Sequence, residues 1–193
     1  MKKNVILGVT GSVATVMLFK LMEKLEKEGF QLKIVTTKSA WLFILSVLFR
    51  KPWKMFKILQ VWETGIGEIA GAFSKEKGRV RHINLVKWAD LLLIAPASAN
   101  TISKITHAIA DNFLTTIALA MPEDKKIFIA PAMNIEMWKN PFFQENLEKI
   151  RKEKKRYAVI EPVAGTLQCG DEGMGKMAEI GKIVEILEQD GRA

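Results

Sequence analysis

Leu91-Leu92-Leu93-Ile94-Ala95 runs apolar with no polar residue at alternate positions. A strand that shows one face to water alternates, and one buried on both faces does not. Such a strand belongs in a parallel sheet, because parallel neighbours need crossover connections and the crossovers supply helices for both faces. The rest of the chain repeats this grammar. Strands are predicted at Asn4–Val9, Gln31–Thr36, Asp90–Ala95, Lys126–Ala130 and Tyr157–Glu161. Helices are predicted at Ser12–Glu28 (ended by Gly29), Ser39–Phe49, Thr101–Ala120, Ile135–Lys152 and Ala178–Gln189. Residues 51–81, with Pro52, Gly65, Gly67, Gly71 and Gly78, show no clear period, and Pro162–Met177 reads as a Gly-rich loop. The expected fold class is α/β, a doubly wound parallel sheet of Rossmann-like or flavodoxin-like type in a three-layer αβα sandwich. A chain of 193 residues fits one such domain spanning 1–193.

Charge and cysteine usage narrow the function. Lys plus Arg number 29 against 21 Asp plus Glu, for a net charge of +8. Much of the excess lies in Lys149–Arg156, where cations suit a helix C-terminus. No aromatic residue interleaves with them to stack bases, so no nucleic-acid partner is expected. The single cysteine, Cys169, rules out a disulfide within the chain and fits a reducing cytoplasm. Lys2-Lys3 and the apolar stretch to Phe19 imitate a secretion signal, but Gly8, Thr10, Gly11 and Ser12 interrupt it. The apolar run Trp41–Phe49 is about half of what spans a bilayer. No membrane association is expected, and that run is a candidate surface for contact between copies.

In open α/β sheets the ligand lies beyond the carboxyl ends of the strands. The segments at those ends are rich in hydroxyls and amides, which places Gly11, Ser12, Thr37, Ser39, Ser98, Asn100 and Thr101 as candidate cofactor contacts. Gly8-x-x-Gly11-x-x-Ala14 looks like a nucleotide loop, since glycines let backbone approach a phosphate. A dinucleotide also wants an acidic residue at the end of the second strand, and Gln31–Phe49 contains none. A mononucleotide such as FMN fits better. Ser98, Asn100 and Thr101 cluster where a helix N-terminus offers unpaired N–H groups, although simple N-capping by one of them is the plainer alternative.

Four blocks then carry a resemblance. Pro96-Ala97-Ser98-Ala99-Asn100-Thr101 running on to Ala110-Asp111-Asn112, His82-Ile83-Asn84-Leu85 with Trp88-Ala89-Asp90, Pro131-Ala132-Met133-Asn134 with Met137-Trp138, and Gly165-x-Leu167-x-Cys169-Gly170-x-x-Gly173-x-Gly175-Lys176-Met177 stand in this chain. Together they resemble the homo-oligomeric flavin-containing cysteine decarboxylases, in family order and over nearly the whole chain. The resemblance implies FMN as cofactor, no metal, and a homotrimer or higher assembly with the flavin near the contact between subunits. It implies decarboxylation of a cysteine conjugate by oxidation to a thioaldehyde, loss of carbon dioxide and re-reduction of the enethiolate. It implies catalytic roles for His82 as base, Asn134 on the substrate carboxylate, and Cys169 as proton donor in a mobile clamp over residues 162–177. Met133 would pack on the flavin, Met137 would meet substrate, and Lys87 or Lys176 would pair with a substrate phosphate.

A cysteine in the clamp favours the branch acting on 4'-phosphopantothenoylcysteine in coenzyme A biosynthesis, with a separate ligase supplying the conjugate. Oxidative decarboxylation of a peptide's C-terminal cysteine, or a non-catalytic flavin-binding regulatory subunit, are the alternatives. The chain departs from the family where Gly-Ser-Ile-Ala-Ala-Tyr-Lys is common, since Thr15-Val16-Met17 follow Ala14 here.

Overall fold

The computed structural model describes residues 3–50, 62–64, 81–166 and 172–190. Strands β1 (Asn4–Val9), β2 (Gln31–Thr36), β3 (Trp62–Thr64), β4 (Leu91–Ala97), β5 (Ile127–Pro131) and β6 (Tyr157–Val159) form one sheet in the order β3-β2-β1-β4-β5-β6. Every pairing in it is parallel, and Val5 of β1 stands level with Leu32 of β2 and Leu91 of β4. All residues of β4 and β5 are buried, as the unbroken apolar run requires.

Side chains alternate between two cores. Val5, Leu7, Ile34 and Leu93 face the layer of α1 (Leu18–Lys27), α2 (Ala40–Arg50) and α8 (Ile180–Asp190). Ile6, Val35, Leu92 and Ile94 face α3 (Arg81–Trp88), α4 (Ala99–Thr106), α5 (Phe113–Ala120) and α7 (Pro141–Lys152). The three-layer αβα sandwich is thus present. Among the described residues, no helix is long and apolar enough to cross a membrane.

Four expected elements differ from their predicted form. The helix expected over Ser12–Glu28 starts as a 3-10 turn, Val13–Met17, capped by Ser12, and becomes α-helical only at Leu18. The one expected over Thr101–Ala120 is two helices. Ala108 takes a left-handed φ of 55°, which an L-residue rarely adopts inside a helix, and a capping box of Asn112 and Thr115 starts α5 afresh. The helix expected over Ile135–Lys152 breaks at Asn140, whose side chain accepts from the N–H groups of Phe142 and Phe143. Pro141 has no N–H to continue the first piece, so α6 (Ile135–Lys139) ends and α7 begins. The Gly-rich stretch, finally, contains an antiparallel hairpin of β7 (Val163–Thr166) and β8 (Glu172–Lys176).

Candidate functional site

The chain leaves β1 toward α1 on one face of the sheet and leaves β4 toward α4 on the other. Loops that diverge in this way open a crevice at the carboxyl ends of adjacent strands. Thr10 lies beneath its floor, buried and off the cleft lining. Its fully buried hydroxyl donates to the Pro96 carbonyl at 2.8 Å and accepts from the Ser98 N–H at 2.7 Å, tying the end of β1 to the start of α4. Thr15 Oγ1 donates back to the Thr10 carbonyl at 2.9 Å. A cleft of about 690 Å³ rises from this floor. Gly11, Ser12, Ser98, Met133, Asn134, Met137 and Lys176, all expected on sequence grounds, line it.

Each of these is held by its neighbours. Ser12 caps the 3-10 turn and donates to the Ala132 carbonyl at 3.1 Å, which joins the β1 and β5 loops. Gly11 is required by its surroundings: a Cβ there would lie 2.5 Å from the Ser39 hydroxyl. Ser39 in turn hydrogen-bonds the buried Thr37 hydroxyl at 3.1 Å. Ser98 caps α4, accepting from the Thr101 N–H and donating to the Thr101 hydroxyl at 3.2 Å. Asn134 caps α6 through Oδ1, which accepts from the Glu136 N–H at 2.8 Å.

Gly8 has a different duty from the one its spacing suggests. It lies within β1, and a Cβ there would meet the Leu114 side chain at 2.6 Å, so it serves close packing of sheet on α5. Thr37, Ser39, Asn100 and Thr101 are not on the cleft lining; Thr37 and Thr101 are buried and Asn100 is exposed. His82 lies in the first turn of α3, half-buried and outside the cleft lining. The other end of α3 is fixed: Lys125 Nζ donates to the carbonyls of Val86 (2.9 Å), Lys87 (3.2 Å) and Ala89 (2.6 Å), and Asn4 Nδ2 donates to Trp88 O. That end lies beside the start of β1, so the helix direction carries His82 toward the carboxyl end of the sheet. Lys87 is exposed in the last turn, at the amino end of the strands and away from the cleft. Cys169 lies outside the described residues.

The sequence reading missed Thr10 and the apolar wall. Val13, Val16, Met17 and Phe43 line the cleft, with Val13 43% and Val16 37% exposed. The signal was present: apolar residues at successive exposed positions of a capped turn have no core to enter.

A phosphate-bearing planar cofactor fits this arrangement. The start of α4, which Ser98 caps on the cleft lining, suits an anion, and the apolar wall suits a ring system. Thr36 Oγ1, buried at the carboxyl end of β2, has no hydrogen-bond partner among the described residues.

The chain is similar to known proteins over nearly its whole length. A family model described as Flavoprotein matches residues 1–190. A probable phosphopantothenoylcysteine decarboxylase of Streptococcus mutans serotype c is 36% identical over 193 residues, covering 98% of this chain and 99% of the relative. A solved PPC decarboxylase variant complexed with pantothenoylaminoethenethiol aligns over 100% of both chains, with a TM-score of 0.84 and 34% identity. The FMN binding protein AtHal3 aligns over 98% of this chain and 97% of its own, with a TM-score of 0.79 and 35% identity.

Proposed function

The chain belongs to the flavoprotein family, within its cysteine decarboxylases, and on that premise we propose that it decarboxylates 4'-phosphopantothenoylcysteine to 4'-phosphopantetheine with FMN, a step of coenzyme A biosynthesis. One observation carries the reading: Ser12, Ser98, Asn134 and Lys176 meet in one cleft, on a chain that matches a PPC decarboxylase from end to end.

When bound, FMN supplies a reversible two-electron acceptor beside the cysteine of the substrate. The chain's own residues bind and orient. Gly11, Ser12, Ser98 and the first turn of α4 would hold the phosphate of the cofactor, with Asn100 and Thr101 supporting that turn from off the cleft lining, and Thr37 and Ser39 buttress Gly11. Met133 packs on the ring system and Met137 on the substrate. Asn134 Oδ1 is engaged by the Glu136 N–H, so the Nδ2 end is the one that donates to the substrate carboxylate. Once the cysteine is at the thioaldehyde level, its carboxylate is β to a thiocarbonyl and leaves readily, since the electrons flow into sulfur. Cys169 then gives a proton to the enethiolate carbon, and His82 serves as the base. Lys176, on the cleft wall, pairs with the 4'-phosphate of the substrate; Lys87, at the far end of α3, is poorly placed for it.

The active form in this reading is a cytoplasmic homotrimer of a single-domain chain with FMN near the contact between subunits, which gives His82 a route to the reacting atoms from outside the cleft of its own copy. Helix α2 supports self-association: Leu42 is 74% and Phe49 92% exposed, and a helix apolar on all sides belongs in an interior. A separate ligase supplies the cysteine conjugate.

The test is anaerobic incubation of the FMN-loaded protein with 4'-phosphopantothenoylcysteine, following product mass and flavin absorbance together. Turnover to 4'-phosphopantetheine with flavin returning to the oxidised spectrum is the expected result. Stoichiometric bleaching with a product two hydrogens lighter would move the chain to the oxidative branch. Unchanged substrate would refute both.

A further inference from the structure

Strand β8 does more than pair with β7, because its backbone lies directly on the loop that carries Asn134. The Met133 N–H donates to the Gly175 carbonyl at 3.0 Å. At Gly175, φ is +130° and a Cβ would collide with the Met133 carbonyl oxygen, with the Met133 carbonyl carbon at 3.5 Å and the Asn134 carbonyl carbon at 3.7 Å. Two residues earlier, a Cβ on Gly173 would run into the Ile135 side chain, within reach of both Cδ1 and Cγ1. Met133, Asn134 and Ile135 therefore all touch one strand at positions where only glycine fits. The hairpin is anchored separately at its entry, where Arg151 makes two bonds to Glu161, at 2.9 and 2.7 Å. Lys176, next in sequence after Gly175, lines the same cleft as Asn134.

We propose that Gly175 is a positioning residue that locks the β7–β8 hairpin to the Met133–Asn134 backbone, so that the carboxylate-binding amide and Lys176 hold one fixed relation. The substrate's two anionic ends, carboxylate and phosphate, are then gauged by a single rigid piece built from two segments distant in sequence. This rests on the decarboxylase reading for the identity of the substrate, while the coupling itself is a property of the backbone. A Cβ at Gly175 forces the hairpin off the loop and breaks the Met133 bond. Gly11 and Ser98 of the cofactor shell are built from other elements, while Ser12 meets this loop only at the Ala132 carbonyl, one residue before Met133.

The experiment compares FMN-loaded wild type with Gly175→Ala by hydrogen–deuterium exchange and steady-state kinetics. The Met133 amide should exchange roughly tenfold faster in the variant, the effect of losing one hydrogen bond. KM for 4'-phosphopantothenoylcysteine should rise by roughly tenfold, well beyond any change in the Kd for FMN, which Met133 also contacts in this reading. Wild-type exchange at Met133 together with an unchanged KM in the variant would overturn the proposal. Should Gly175→Ala not fold, the wild type decides alone. Met133 and the β8 amides should share a common protection, and a protected Met133 beside freely exchanging β8 amides would overturn the coupling. Absence of decarboxylation in the wild type would sink the functional reading, yet the exchange comparison would still decide on the coupling.

Discussion

Replacing Thr10 by Val tests whether the crevice floor is held by one hydroxyl. The side chain is fully buried, and valine matches its shape while deleting both hydrogen bonds. The half-buried Ser98 N–H loses its acceptor among the described residues, and a donor left unpaired costs about 1–3 kcal/mol. The Pro96 carbonyl loses its shorter donor but keeps the Thr10 N–H at 3.3 Å, a loss of about 1 kcal/mol. The sum is about 2–4 kcal/mol, offset in part by the added methyl group. For a chain of this size about 3 kcal/mol lowers Tm by roughly 6–12 °C. Because Ser98 opens α4, FMN affinity should fall as well, whereas Thr10→Ser should restore most of both. Urea unfolding and flavin titration by fluorescence measure the two effects. Thr10→Val with a stability loss below about 0.5 kcal/mol and unaltered FMN affinity would refute the reasoning.

Three further outcomes are expected. Lys176→Met should raise KM for the phosphorylated substrate by roughly tenfold while barely affecting the dephosphorylated conjugate, and Lys87→Met should do neither; equal effects on both substrates would remove Lys176 from the phosphate. His82→Asn should keep FMN bound but slow decarboxylation by at least about a hundredfold, read as the rate of product formation under saturating substrate. Asp111 has its carboxyl held below its ordinary 3.8, first by the hydrogen bond from Lys104. A depressed carboxylate stabilises the fold above its unfolded pKa and loses that contribution as pH falls through the folded value. The Lys104–Asp111 pair should therefore matter at neutral pH and vanish in strong acid; an NMR titration of Asp111 that is unmoved by Lys104→Met would contradict this.

What the sequence showed and what it hid follow from how local each signal is. The apolar runs of β1, β4 and β5 were legible because burial on both faces leaves its mark within a few residues, whereas β2 and the half-buried edge strand β6 stood out as short apolar-rich runs between helices. The breaks at Ala108 and Asn140 were missed because apolar periodicity runs on across them, even though Asn112 and Asn140-Pro141 are recognisable starts for a new helix. The β7–β8 hairpin was hidden by its glycines, which read as loop in isolation and are there for the approach to Met133 and Ile135. At the site, Gly11, Ser12, Ser98 and Asn134 were legible as strand-end residues. Thr10 was not, since the partners that make it matter lie 86 and 88 residues away. Lys87 was assigned from a basic residue that related decarboxylases often carry at this place, and here it stands exposed in the last turn of α3, off the cleft lining.

The central place of β1 has a consequence during synthesis. The strand made first is flanked on one side by β2, which follows within a few tens of residues, and on the other by β4, which does not emerge until about residue 97. A nascent chain that has completed only β1, α1 and β2 therefore carries an open, fully apolar edge where β4 will later sit, the kind of edge that recruits other chains. The ribosome must add more than half the protein before that edge closes. A pause in translation between residues 50 and 90 should make the chain depend on a holdase, and a pause after residue 100 should not.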